Sequence, residues 1–133
     1  MEKGSSARRL VLVVDGDART TRVLARMLRE DGFDVDVALD GAAAIGRLST
    51  RPLPDVVVTD LATGHASGLA VARYARSLRA DLPVVFVTEH AELVHGERGL
   101  LPAPQIFSKP LDYAAFSRAL AHVLAGPASD AAT

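Results

Sequence analysis

The sequence predicts an α/β protein in which a parallel five-stranded sheet is covered by helices on both faces. Short Val-rich runs alternate five times with longer stretches whose apolar residues recur at helical spacing. The strongest of these runs are continuously apolar, which is typical of strands buried on both faces. Strict alternation of strand-like and helix-like segments favours a parallel sheet. The chain length fits one domain, which we expect at residues 8–125.

The strands are expected at residues 10–14, 35–39, 55–59, 83–87 and 105–108. The helices are expected at residues 18–31, 41–49, 68–80, 90–101 and 112–125. Gly32 stands where a helix C-cap glycine belongs, and Asp40 leads the second helix. Gly96 and Gly99 lower the helix propensity of the fourth helical stretch. The last helix should begin at an Asp112 cap and stop at Gly126.

Composition narrows the possible functions. The net charge is −1 and no long run of Lys or Arg occurs, so a nucleic-acid partner has no electrostatic footprint. There are no cysteines, which excludes disulfides and thiolate zinc sites. No apolar stretch is long enough to span a membrane, and the polar N-terminus lacks a signal peptide core. We therefore expect a cytoplasmic protein with flexible tails at residues 1–7 and 126–133.

Polar side chains follow four of the predicted strands. Asp15 ends the first strand, Asp60 the third, Thr88 the fourth and Lys109 the fifth. Ligands of open parallel sheets bind beyond the carboxyl ends of the strands, so these four residues should converge. Two carboxylates suit a hard cation such as Mg²⁺, and a carboxylate can also attack phosphorus. Lysine and threonine can then bind phosphoryl oxygens, so the set predicts phosphoryl transfer to an aspartate.

From position 9 to position 124 the chain resembles the receiver domains of bacterial two-component response regulators. The matching elements are LVLVVD with Asp15, DVVVTD with Asp60, the following Gly68, PVVFVT with Thr88, and FSKP with Lys109. The resemblance implies a doubly wound, flavodoxin-like sheet with strand order 2-1-3-4-5.

The resemblance also implies specific roles for residues of the site. Asp60 would accept a phosphoryl group from a histidine kinase or phosphotransfer protein. Mg²⁺ would be held by Asp15, Asp60 and the backbone carbonyl of Ala62. Thr88 and Lys109 would bind the phosphoryl group, and the Lys109–Pro110 peptide would be cis.

One departure from the family pattern falls in the metal site. Relatives carry two adjacent acids after the first strand, whereas this chain has Gly16 at the second position and Asp17 one residue late. Asp17 could restore the metal site, directly or through water, or it could cap the helix that begins at Ala18. We favour the cap, because capping needs only local geometry. Mg²⁺ binding should then be weakened rather than abolished.

Three further positions depart from the pattern. Gly64 replaces a usual proline, which should loosen the loop after the acceptor. Glu89 follows Thr88 where relatives keep a small residue, and it could pair with Lys109 or face solvent. Ile106 replaces the aromatic switch residue, and Phe107 should face the other side of the strand, so the usual threonine–aromatic relay is in doubt.

Three functions from different classes are therefore compared. The first is a phosphorylatable receiver with no enzymatic activity beyond its own phosphorylation and dephosphorylation, signalling through protein contacts as a monomer or weak dimer. The second is a pseudo-receiver that works without phosphorylation, as the four atypical positions suggest. The third is a haloacid-dehalogenase-type phosphatase using Asp15 and Asp17, which leaves Asp60 unexplained and lacks an acidic metal motif after Lys109. We favour the first, either as a stand-alone chain or as part of a larger protein.

Overall fold

A computed structural model of the protein describes residues 8–95 and 99–131. The strands are β1 (Leu10–Val14), β2 (Asp34–Ala38), β3 (Val56–Thr59), β4 (Val84–Thr88) and β5 (Gln105–Ser108). The helices are α1 (Ala18–Glu30), α2 (Gly41–Leu48), α3 (Gly68–Leu78), α4 (Ala91–His95) and α5 (Tyr113–Ala131). All strand pairs are parallel, in the order β2-β1-β3-β4-β5. The predicted α/β class and strand order are confirmed.

The valine-rich strands form the middle layer of the molecule. In the central strands β1, β3 and β4 nearly every side chain is buried, since helices cover both faces. One face packs against apolar residues of α1 and α5, namely Leu24, Leu28, Phe116 and Leu120. The other packs against α2, α3 and α4 through Ala44, Leu48, Val71, Ala75 and Val94. The core therefore lies on both sides of the sheet, as the sequence indicates.

Local capping explains where the helices begin. The Asp40 carboxylate accepts a hydrogen bond from the Ala43 N–H at 2.7 Å, and the Asp112 carboxylate accepts one from the Ala115 N–H at 3.2 Å. These bonds satisfy N–H groups that have no partner inside the helix. After α1, Gly32 adopts a φ of +98°, a left-handed conformation that favours glycine.

The last two helices differ from the sequence prediction. Gly99, Leu100 and Leu101 are not helical, so the expected helix over residues 90–101 is too long. Helix α5 continues past Gly126 to Ala131, so the predicted stop is wrong. A glycine costs a helix only about 1 kcal/mol, which does not end it by itself. The expected flexible tail at residues 126–133 is thus helical as far as Ala131. Residues 1–7 and 132–133 lie outside the described part of the chain.

Candidate phosphoacceptor site

Asp15, Asp60 and Lys109 meet at the carboxyl edge of the sheet. The Lys109 ammonium donates to Asp15 Oδ2 and to Asp60 Oδ2, each at 2.8 Å. Register brings the two acids together, because Val14 pairs with Thr59 and each acid follows one of these residues. The backbone N–H of Lys109 donates to the Thr88 carbonyl at 3.0 Å, which places the lysine opposite them. The convergence expected from the strand ends is observed for the side chains of Asp15, Asp60 and Lys109, whereas Thr88 contacts Lys109 through its backbone carbonyl.

Every carboxylate oxygen in this cluster has a donor. Besides their bonds to Lys109, Asp15 Oδ1 accepts from the Asp17 N–H at 3.0 Å and Asp60 Oδ1 accepts from the Ala62 N–H at 3.3 Å. Burial of the Lys109 ammonium lowers its pKa, but the hydrogen bonds and negative charges of Asp15 and Asp60 raise it by more. The pKa of Lys109 therefore lies above the ordinary lysine value, and the side chain is a stable cation at neutral pH.

Asp17 is occupied as the N-cap of α1. Its Oδ1 accepts from the N–H groups of Arg19 and Thr20, at 2.9 and 3.4 Å, and its Oδ2 accepts from the Thr20 hydroxyl at 2.9 Å. The Thr20 hydroxyl bond and then the backbone bonds hold the pKa of Asp17 below its ordinary value. The cap that we favoured from the sequence is confirmed. What the sequence did not reveal is that Asp17 supports Asp15 through its backbone N–H.

Gly16 is not required by the backbone. A Cβ atom built at this position would lie 3.7 Å from the Leu39 carbonyl oxygen, which is an ordinary contact, and the φ angle is not left-handed. Gly16 is exposed to solvent beside the buried Asp15. The missing second acid is therefore a feature of the chemistry of the site and not a steric necessity.

Gly68, in contrast, is needed where it stands. A Cβ atom there would overlap the carbonyl oxygen of Asp60 and approach Leu61 Cα to 2.9 Å. The Gly68 N–H donates to the Leu61 carbonyl at 2.9 Å, which fastens the first turn of α3 beneath the acceptor. A glycine at this position lets helix and acceptor strand approach closely.

The loop after Asp60 is tied to the start of α2. The Gly41 N–H donates to the Gly64 carbonyl at 2.9 Å, and the Ala66 N–H donates to the same carbonyl at 2.8 Å. His65, between them, has a φ of +68°, a strained conformation for a residue with a side chain. Its Nε2 lies 4.0 Å from Asp40 Oδ2. The hydrogen bond from Gly41 to Gly64 thus restrains this loop, in which Gly64 replaces the proline of the family pattern.

The switch positions are arranged differently from the usual relay. Thr88 is fully buried, and its hydroxyl accepts from the His90 N–H at 3.0 Å. Ile106 packs on the α4 side of the sheet, whereas Phe107 packs on the α5 side and meets Phe116 edge to face, with ring centroids 5.7 Å apart. The opposite orientations of Ile106 and Phe107 are confirmed. Glu89 is exposed, which corresponds to the solvent-facing alternative.

A cleft of about 410 Å³ opens beside the acidic cluster, between α1 and the segment after β5. Its charged lining comprises Asp15, Asp60, Lys109 and Arg19, and apolar residues continue it towards Tyr113. Arg19 was not among the residues singled out from the sequence. Its position in the first turn of α1, where acids are usual, was the available signal. The Lys109–Pro110 peptide at the mouth is cis, as the resemblance implied.

A family model for the response regulator receiver domain matches residues 11–121. The chain belongs to this family. The transcriptional regulatory protein PrrA of Mycobacterium leprae is 36% identical to the receiver domain over 100 residues, a match that covers 75% of this chain and 42% of PrrA. Response regulator MprA of Mycobacterium sp. (strain KMS) is 34% identical over 90 residues, 68% of this chain and 39% of MprA. The receiver domain thus spans about two fifths of the length of these curated relatives.

A solved structure gives the same result. The crystal structure of a response regulator receiver protein from Sinorhizobium medicae superposes on the receiver domain with a TM-score of 0.82 and 30% identity, covering 90% of this chain and 96% of that one. Family membership identifies a receiver domain rather than a haloacid-dehalogenase-type phosphatase. Within the described residues, no helix has the length and apolar character that a membrane crossing requires.

Proposed function

We propose that Asp60 accepts a phosphoryl group from a histidine kinase or phosphotransfer protein, the partners with which receiver domains interact. The observation that carries this proposal is the hydrogen-bonded cluster of Asp15, Asp60 and Lys109 at the carboxyl edge of the sheet. Asp60 is the central member, because β3 lies in the middle of the five strands. Its carboxylate borders the open cleft, so a donor can approach it.

The transfer needs little covalent chemistry from the protein. An Asp60 carboxylate oxygen forms a bond to phosphorus while the P–N bond of a donor phosphohistidine breaks, and the electron pair leaves with the imidazole nitrogen. The Lys109 ammonium, now shared by two carboxylates, would turn towards the phosphoryl oxygens and neutralise part of their charge. The Thr88 hydroxyl, whose oxygen accepts from the His90 N–H, would donate its own hydrogen to another phosphoryl oxygen.

The donor set fits Mg²⁺, although sparsely. Mg²⁺ is commonly bound by one or two carboxylates together with phosphate oxygens and water, and Asp15 and Asp60 supply two. The described residues contain no group of three or more acidic or histidine side chains that could hold a metal. Asp15, Asp60 and the Ala62 carbonyl would hold the ion, which would stabilise the negative charge of the transferring group. We expect weak binding, because Gly16 contributes no carboxylate and Asp17 is engaged as a cap.

A pseudo-receiver is the second candidate. Lys109 already satisfies both carboxylates, and Ile106 cannot serve as an aromatic partner for Thr88. Under this alternative the same fold would make protein contacts without phosphorylation. The partner that receives the signal, the monomer or weak dimer state and the cytoplasmic location stay predictions. The chain spans only part of the length of its relatives, so any output activity is likewise a prediction.

Intact mass spectrometry after incubation with Mg²⁺ and acetyl phosphate tests the first candidate. We expect one added phosphoryl group in the wild type and none in Asp60→Asn, whose amide keeps the shape of the carboxylate. An adduct that persists in Asp60→Asn would show that Asp60 is not the acceptor. If neither acetyl phosphate nor a panel of histidine kinases labels the wild type, the pseudo-receiver is correct.

A further inference from the structure

Arg19 is placed unusually for a residue in the first turn of a helix. The positive end of the helix dipole disfavours a cation there, and acids are usually found instead. The first turn of α1 contains no acid. Within the described ranges, Arg19 makes no ion pair that would compensate for this position. Its charge does lower the pKa of Asp17, but that effect is smaller than those of the hydrogen bonds from Thr20 and the backbone.

Arg19 is one of the residues that line the cleft containing Asp15, Asp60 and Lys109. The residues that line the cleft thus include two acids and two bases, whose formal charges balance before any phosphoryl group arrives. Phosphorylation exchanges the single charge of Asp60 for about −1.5 to −2. Lys109 cannot neutralise all of it, since the same ammonium also holds Asp15 at 2.8 Å.

A second acid at position 16 would normally help to recruit a divalent cation for that excess charge. Gly16 removes this carboxylate although the backbone has space for a side chain. The other basic residue that lines the cleft is Arg19, whose side chain ends in a guanidinium group. It is permanently charged, and its planar array of donors suits phosphoryl oxygens.

We propose that Arg19 binds the oxygens of the incoming phosphoryl group and of phosphorylated Asp60, and so supplies charge that relatives obtain from a more tightly held metal. This inference rests on the function proposed above for Asp60. It adds a phosphoryl-binding residue to the set formed by Thr88 and Lys109. We expect the rate of Asp60 phosphorylation to depend less steeply on the Mg²⁺ concentration, because Arg19 supplies part of the positive charge.

The test compares Arg19→Gln with Arg22→Gln, a matched change at an exposed arginine of α1 that does not line the cleft. The rate of Asp60 phosphorylation by acetyl phosphate is measured by intact mass over a Mg²⁺ titration. We expect Arg19→Gln to slow phosphorylation by about tenfold, the size of one hydrogen bond to a charged group. Arg22→Gln should stay within twofold of wild type, and Arg19→Lys should recover most of the rate, which a purely structural role would not predict.

Equal rates for Arg19→Gln and Arg22→Gln, with a wild type that is phosphorylated normally, would overturn the role of Arg19 alone. A wild type with no adduct would overturn the proposed function and this inference together. The double variant Gly16→Asp/Arg19→Gln tests the link to the missing acid. In the Gly16→Asp background at saturating Mg²⁺, the effect of losing Arg19 should shrink to threefold or less. An undiminished effect would show that Arg19 does not compensate for Gly16.

Discussion

At the scale of single residues, Gly16 and Asp17 stand where the family pattern has the second of two adjacent acids and the residue that follows it, and neither offers a free carboxylate. Gly16 supplies no ligand, and the carboxylate of Asp17 is saturated by α1. The Asp17 backbone still donates to Asp15, so the buried acid keeps its orientation. The site therefore carries one acid fewer than the family pattern, while the orientation of Asp15 is kept. Substitutions at positions 16 and 17 test these two features separately.

Gly16→Asp should strengthen Mg²⁺ binding by about tenfold, because a third carboxylate beside Asp15 and Asp60 adds a full negative charge to the donor set. Isothermal titration of Mg²⁺ into the unphosphorylated protein measures the change. Gly16→Asn is the matched control, since it adds the same bulk without the charge. Equal affinities in the two variants would show that position 16 does not face the metal.

Asp17→Ala should lower the free energy of unfolding by about 1 kcal/mol, the usual value of an N-cap. Urea denaturation measures it, and Asp17→Ser should recover most of the stability because serine also caps well. Mg²⁺ affinity should be nearly unchanged in both variants. A marked loss of Mg²⁺ binding at unaltered stability would instead make Asp17 a metal ligand.

At the scale of elements, the acceptor strand depends on the closeness of α3. Gly68→Ala should destabilise the protein by roughly 1–3 kcal/mol, the cost of overpacking, and should slow phosphorylation by displacing Asp60. Gly46→Ala is the control within α2: a Cβ atom there meets nothing within 4 Å, so we expect a gain of about 0.5–1 kcal/mol. If Gly68→Ala were as stable as wild type, the close approach would not constrain the acceptor.

The elements also show how far the sequence could be interpreted. Asp15, Asp60 and Lys109 could be placed together because parallel strands end at one edge, so naming the last residue of each run was sufficient. The length of α5 could not be predicted, since Gly126 resembles a C-cap residue. The free-energy cost of a glycine inside a helix is small, so the helix can continue through it. Arg19 was missed because cleft walls depend on how α1 packs beside the segment after β5, which no local pattern encodes.

At the scale of the whole molecule, Tyr113 joins the two helices that cover one face. Its hydroxyl donates to Asp31 Oδ2 at 2.6 Å, just beyond the end of α1. Burial of the Tyr113 hydroxyl, followed by this hydrogen bond to a carboxylate, raises its pKa above the ordinary value of 10.0. The folded protein therefore holds the tyrosine proton more tightly than the unfolded chain does.

This pKa shift predicts a loss of stability in alkali. The contribution of Tyr113 is complete below the unfolded pKa of about 10 and is lost as the pH rises towards the higher folded value. Urea denaturation between pH 8 and 11 should show the free energy of unfolding falling less steeply above about pH 10 in Tyr113→Phe than in wild type. Identical slopes in Tyr113→Phe and wild type would contradict the assignment.

The hydrogen bond from Gly41 to Gly64 has a mechanical consequence. Any displacement of the loop behind Asp60 must either break that bond or carry the first turn of α2 with it. Ile106 offers no ring through which Thr88 could relay a movement to β5. Motion of the loop after Asp60 is therefore coupled through this bond to the start of α2.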